Sequence, residues 1–277
     1  MEGVGNAWAD RVPLDVARLR ERVASEIAES GFAYVAGFPG GRTGESVLEF
    51  ARSLGPLWAA PGASVGTPLI ESRPASQASA LAPFDRPEAI GWHGDFSTHA
   101  SRPQLTVAYV ARADPRGPPH GSWRAASCDS ILAWLNASAK GRDVVASLVS
   151  VAIPYGFGTE RAPSFFRPLE HRGPAPGRLG LRFYGRTMRD GARLVQGHVP
   201  EHLETAIRAV EEAADEVGTV LPAHAGALLI TDNWHSVHDR LAQTVDPNLP
   251  LRRSLLCFVS RLAVPQPEEP GAVPGHG

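Results

Sequence analysis

The chain has 277 residues, 43% hydrophobic and 20% charged, with 27 Lys and Arg against 29 Asp and Glu for a formal net charge of -2. That supplies apolar material for a sizeable core, and the near-neutral balance offers no basic footprint for nucleic acid or an acidic membrane surface. The two cysteines, Cys128 and Cys257, lie far apart and outside metal-type spacing, which argues against a disulfide framework or zinc ribbon and fits a reducing cytoplasm.

The first fifteen residues lack a basic start followed by an apolar run, and no stretch approaches the ~18 apolar residues of a membrane span, so neither secretion nor insertion is expected. After Asp15, a good N-cap, Val16, Leu19, Val23 and Ile27 recur at helical spacing and stop at Gly31. FAYVAGF from Phe32 reads as a strand. A second helix follows Thr43, with Val47, Phe50, Ala51 and Leu54 on one face and Gly55 closing it. From Ala59 to about Ile90 the chain is rich in Pro, Ala, Ser and Gly, with PLIESR as one short strand candidate; loops of this length are often lids.

A strand is expected in QLTVAYVA from Gln104, a helix in CDSILAWL from Cys128 with Ile131, Leu132 and Leu135 inward, and further strands near Val151 and Leu179. The clearest helix starts at Pro200 and carries Leu203, Ile207, Val210, Ala214 and Val217 before Gly218. ALLITDN from Ala227 and SLLCFVSRL from Ser254 are apolar, β-rich runs separated by a polar loop. No internal repeat is seen, and the mixture favours a single domain over 1–263, α+β but mainly β, with a Pro-rich tail at 264–277 expected to be disordered.

His93-Gly94-Asp95 sets two metal-competent side chains two apart, which on a strand project to one face. A third histidine would complete two imidazoles and a carboxylate on one side of a metal, the arrangement of non-haem iron(II) that keeps positions open. The HxD pattern alone is weak, since any His two before an Asp satisfies it. TDNWHSVHDR, after ALLITDN, offers His235 and His238, and LPLRRSLLCF places adjacent arginines before an apolar strand, where a guanidinium can grip a carboxylate by a bidentate charge-assisted pair.

In these three motifs the chain resembles the taurine dioxygenase-like (TauD/TfdA) and clavaminate synthase-like branch of the iron(II)/2-oxoglutarate-dependent oxygenases, over most of its length. The resemblance implies a double-stranded β-helix (jelly-roll) core, with core strands and metal motifs at about 90–263, flanking helices and a large insert. It implies iron(II) as cofactor, 2-oxoglutarate and O2 as co-substrates, and a small-molecule substrate, and it leaves homo-oligomerisation open. The family spaces four residues between DN and its distal histidine, which selects His93, Asp95 and His238 as ligands and leaves His235 bland. It puts Arg253 on the 2-oxoglutarate carboxylate remote from the metal, with Arg252 as fallback.

Three departures from the family pattern matter. The usual Gly-Gly-x-Thr turn is replaced by HGSWRAAS, with Trp123 nearest the missing Thr, so Thr106 or Ser127 is expected to complete the co-substrate pocket. Cys257 stands four residues after Arg253, where sulfonate-acting members carry a substrate arginine, which argues against taurine. Asp95 is intact where halogenating relatives have a small residue, which disfavours halogenation. Phe96, Ser97, His99, Arg182, Tyr184 and Cys257 are candidates to face substrate, each with a plain structural role as the competing reading. Asp232 and Asn233 are expected to shape the turn before His238, and Arg240 to orient nearby carboxylates. Hydroxylation of an amino-acid-like or biosynthetic intermediate is the expected reaction. Desaturation or cyclisation, a non-catalytic binding protein of the same fold and a zinc hydrolase are the alternatives.

Overall fold

The structure, a computed structural model, describes residues 15–41, 43–59, 68–74, 83–157, 162–171, 178–246 and 248–263. The tail at 264–277, expected to be disordered, and much of the loop system between 59 and 90, read as a lid candidate, lie outside them.

Helix α1 (Val16–Ser30) begins where Asp15 Oδ1 accepts from the Arg18 amide at 3.0 Å and ends at Gly31 with φ 79°, its Leu19, Val23 and Ile27 stripe buried. It leads into β1 (Phe32–Val35) and α2 (Glu45–Leu54), which buries the four residues expected of it. β2 (Ile70–Ser72), β3 (Leu105–Arg112), β4 (Trp123–Ser127) and α3 (Cys128–Asn136) follow. Then come α4 (Ala139–Ser150), β5 (Ile153–Tyr155), β6 (Ser164–Phe166), β7 (Leu169–His171) and β8 (Leu179–Leu181). The chain continues through α5 (Gly185–Gln196), α6 (Glu201–Val217), β9 (Thr219–Leu221), β10 (Leu228–Asp232), β11 (Ser236–Arg240) and β12 (Arg253–Val259).

Two antiparallel sheets carry the architecture. One has the order β1-β10-β3-β12-β2, the other β11-β4-β9. Alternation along β3 explains the layering: Leu105, Val107 and Tyr109 pack with α1 and α2, while Ala108 and Val110 face Trp123 and Ala125 of the smaller sheet. The far side of that smaller sheet, through Ala126 and Val237, joins the core formed with α3 to α6. The result is helices, sheet, sheet, helices, with strand direction everywhere antiparallel.

Helices α4 and α5 and strands β4 and β11 were not expected from sequence. In α5 the buried face is Gly185, Thr187, Met188, Gly191 and Ala192, because the helix runs against β5 so closely that a Cβ on Gly191 would lie 2.3 Å from the Pro154 carbonyl oxygen. Small residues do not register as an apolar stripe. β11 reads SVHDR, a polar strand whose Ser236, Asp239 and Arg240 are nevertheless buried, so hydrophobic alternation could not reveal it.

Gly31 ties α1 to the region of the candidate site. Its carbonyl accepts from the Asp232 amide at 2.7 Å and from Ser236 Oγ at 2.8 Å, and a Cβ there would meet the His235 carbonyl oxygen at 2.4 Å. With its positive φ as well, Gly31→Ala is expected to destabilise the fold by about 2 kcal/mol or more. Urea unfolding checks this; an unchanged midpoint at unchanged slope contradicts it.

Candidate metal centre and co-substrate cavity

The HGD segment is held by backbone at nearly every residue. The His93 amide donates to the His238 carbonyl at 2.9 Å and the His238 amide returns a bond to the His93 carbonyl at 2.8 Å. Gly94 donates to the Phe183 carbonyl at 2.8 Å, and the Asp95 amide to Asn233 Oδ1 at 3.0 Å. Sequence reasoning put His93 and Asp95 on one strand face; instead His93 sits in an isolated bridge and Asp95 opens a turn. The turn, and not strand alternation, swings the carboxylate toward the imidazoles.

The three side chains converge. His93 Nε2 lies 3.7 Å from Asp95 Oδ1, and His238 Nε2 lies 3.4 Å from Asp95 Oδ2. One donor atom from each residue falls within 4.8 Å of the others, the one such grouping of His, Cys, Asp and Glu among the described residues. Adjacent ligands about 2.1 Å from one ion lie ~3 Å apart, so the set closes on a metal with small movements. His93 Nδ1 donates to the Gly91 carbonyl at 2.8 Å, which directs the lone pair of Nε2 inward. Burial, followed by the nearness of His238, lowers the His93 pKa to about 4, so this imidazole is neutral and able to ligate at neutral pH. Burial opposes the charge of Asp95, but His238, His93 and the Thr106 hydroxyl outweigh it and hold the carboxyl well below its usual range.

Supporting residues sit behind this set. Thr106 Oγ1 donates to Asp95 Oδ2 at 2.6 Å and accepts from Asn233 Nδ2 at 3.0 Å. Asp232 Oδ1 caps the turn by accepting from the Trp234 amide at 2.8 Å and the His235 amide at 3.2 Å. His235 Nδ1 lies 3.3 Å from Asp232 Oδ2, away from the metal grouping. Asp239, fully buried, accepts from the Gly91 amide at 2.8 Å and from Arg124 Nη2 at 2.7 Å, bracing the chain on both sides of the ligands. Asp239 and Arg124 were missed because nothing in their local sequence marks them.

A cavity of about 210 Å³ opens beside the donor set, between the two sheets. Of the residues singled out in the sequence, Phe96, Ser97, His99, Tyr184 and Thr106 line it, and so do Arg240 and Arg252. Two expectations on β12 are corrected. Arg253 is turned out of the cavity, with Nη2 bonded to Glu71 Oε2 at 2.7 Å, and Cys257 is buried in the opposite core against α1 and α2. Both fail for one reason: side chains on a strand alternate, and Arg252, Ser254, Leu256 and Phe258 take the cavity face. Sequence reasoning chose the odd parity. The residue four beyond Arg252 is therefore Leu256, which is no more suited to a sulfonate than Cys257.

Arg252 is 2% exposed, and its Nε and Nη2 have no hydrogen-bond partner. Burial lowers its pKa to about 9, with nearby Arg240 adding to the effect, which marks a cation awaiting an anion. Ser254 Oγ, two residues on and facing the same way, is also buried and unpaired. Of the candidates for the missing Thr, Thr106 lines the cavity but spends its proton on Asp95, and Ser127 instead caps α3 through the Ser130 amide at 3.0 Å. Arg182 is another correction: it does not line the cavity, but donates from Nη1 to the Ser97 and His99 carbonyls at 2.9 and 2.7 Å, fastening the turn after Asp95. Arg240 donates to the carbonyls of Leu241, Arg86 and Glu88, not to carboxylates.

Two imidazoles and one carboxylate on one side, an open cavity on the other and a buried unpaired arginine beyond define a mononuclear non-haem iron(II) dioxygenase that uses 2-oxoglutarate. The family model for the taurine catabolism dioxygenase TauD, TfdA family matches residues 5–256, and the chain belongs to that family. Among solved structures, an asparagine oxygenase in complex with Fe(II), 2S,3S-3-hydroxyasparagine and succinate superposes with a TM-score of 0.69 at 20% identity, over 88% of this chain and 79% of that one. The non-heme iron oxygenase OrfP with Fe, succinate and (3S)-hydroxy-L-Arg gives 0.63 at 15% identity, over 88% and 80%. PvcB from Pseudomonas aeruginosa gives 0.63 at 14%, over 87% and 79%. These likenesses establish a shared fold. No curated protein sequence matches the chain.

His93→Ala and His238→Ala are each expected to abolish stoichiometric iron(II) binding in anaerobic titration, whereas His235→Ala should change the affinity less than about 3-fold. An equal loss at His235 would mean that the ligand register is wrong.

Proposed function

We propose that this protein hydroxylates an unactivated C–H bond of a small amino-acid-like substrate, consuming O2 and 2-oxoglutarate and releasing succinate and CO2. His93, Asp95 and His238 hold iron(II), and Arg252 with Ser254 grips the carboxylate of 2-oxoglutarate remote from the metal. The observation that carries the reading is the buried, unpaired guanidinium of Arg252 in the same cavity as the three donor atoms. A dicarboxylate would satisfy both ends of the cavity, one carboxylate toward the metal held by the three donor residues and the other paired with Arg252.

Iron(II) held by His93, Asp95 and His238 would, with 2-oxoglutarate, activate O2, the oxidant for C–H cleavage; the residues do the rest. Thr106 and Asn233 fix the Asp95 carboxylate and the turn that presents it, and Gly91 fixes the His93 ring. The apolar wall of the cavity excludes water from the reacting carbon. The hydroxylated amino acids named with the asparagine oxygenase and OrfP support an amino-acid-like substrate. Desaturation or cyclisation begins with the same hydrogen abstraction and is the second reading.

The two-sheet sandwich is consistent with a jelly-roll core, and we treat 1–263 as one oxygenase domain. The free, buried Cys128 and Cys257 support a reducing, cytoplasmic setting. No helix among the described residues is long and apolar enough to cross a membrane.

The test is anaerobic titration of the Fe(II)-loaded protein with 2-oxoglutarate, watching for the weak visible charge-transfer band of the chelate. The band should form, Arg252→Ala should raise the 2-oxoglutarate concentration needed by on the order of 100-fold, and Arg253→Ala should leave it near the native value. Iron binding without a band contradicts the reading, as does a larger effect at Arg253 than at Arg252.

A further inference from the structure

We propose that the substrate presents an uncharged, apolar side chain to the iron, and that Phe96 is the residue that selects it. This rests on the oxygenase reading above and specifies the substrate class of that site.

Once the three ligands, Arg252 and Ser254 are assigned, the largest side chains left in the wall are apolar, Phe96, Phe258, Ile70, Phe84 and Leu256 among them, and apart from Arg240 its polar groups are hydroxyls and the His99 imidazole. Among the described lining residues Asp95 is the sole acid, and it is committed as a ligand. The remaining fixed charge, Arg240, is positive and held by three backbone carbonyls. At the end of a side chain reaching into this space, an ammonium or guanidinium would give up water, meet no free carboxylate among the described lining residues and face Arg240 and Arg252. Buried charge without a partner is among the costliest arrangements a site can hold. An apolar side chain meets none of these costs and gains by leaving water.

Phe96 adds an independent observation. It is the only non-glycine residue with positive φ among those described, at 55°. A bulky residue in that region carries strain of about 1–2 kcal/mol, which persists only where surroundings impose it. Here the ring is fixed edge-on by Trp58 with centroids 4.6 Å apart, by Phe258 at 5.0 Å and by His99 at 5.5 Å. Because Phe96 directly follows Asp95, the strained backbone sets an aromatic ring into the cavity wall one residue from the metal ligand. Strain at that position serves the placing of a ring, since Gly or Asn would adopt the turn at less cost.

The experiment uses the native Fe(II)·2-oxoglutarate complex without oxygen and a pair of probes of similar shape, L-norleucine and L-lysine, with L-phenylalanine as a third. Binding is read by calorimetry and by the change in the charge-transfer band. L-Norleucine or L-phenylalanine should bind at least 10-fold more tightly than L-lysine. Phe96→Ala should weaken that binding about 10-fold or more with the band still formed, and Phe96→Leu should recover most of it. L-Lysine binding as well as L-norleucine, neither apolar probe binding, or Phe96→Ala leaving apolar binding unchanged would each overturn the inference. Failure of the band to form in the native protein would overturn the oxygenase reading beneath it.

Discussion

The site depends on the reciprocal pair of backbone hydrogen bonds between His93 and His238. Two segments far apart in sequence are joined there as neighbouring strands would be, and the two imidazole centroids come to 4.3 Å. Side chains alone could not hold two buried imidazoles and a carboxylate so close, because each would rather keep its water. The backbone bears that cost before any metal arrives, and the Gly91, Asn233 and Thr106 contacts settle the remaining torsions. Preorganisation of this kind lets binding energy go to the metal and the co-substrate instead of to ordering the chain.

The sheets explain why the cavity lies where it does. β3, central in the larger sheet, is buried on both faces, and the face toward β4 carries Thr106 and Ala108, small enough to leave space. Thr106 pairs with Phe258 across one edge and Thr231 across the other, so the floor beneath Asp95 is polar at its centre and aromatic at its side. Further along β12 the same face reaches Ser254 and Arg252. One strand thus carries an aromatic end near the metal and a cationic end away from it, which suits a dicarboxylate and an apolar group sharing one space.

Much of this was legible in the sequence, for particular reasons. α1, α2 and α6 were readable because their buried faces use large aliphatic residues between clear caps. β3, β10 and β12 were readable because both their faces are apolar. The metal set was found through three motifs occurring in one order, not through any one of them. What escaped was written in residues that carry little local signal: the glycine and alanine face of α5, the polar β11, and the buried charge of Asp239, whose partner Arg124 is distant in sequence. The parity of β12 was a different failure. Both its faces are buried, so alternation offered no outside reference, and only packing decides that Arg252 faces in while Arg253 meets Glu71.

The central claim, that His93, Asp95 and His238 form one iron site, is tested most directly by iron K-edge X-ray absorption on the anaerobic Fe(II)·2-oxoglutarate complex. Two imidazole rings and a remainder of oxygen donors, all near ~2.1 Å, are the predicted first coordination sphere. A spectrum that requires fewer than two imidazoles, or a sulfur ligand, would contradict it.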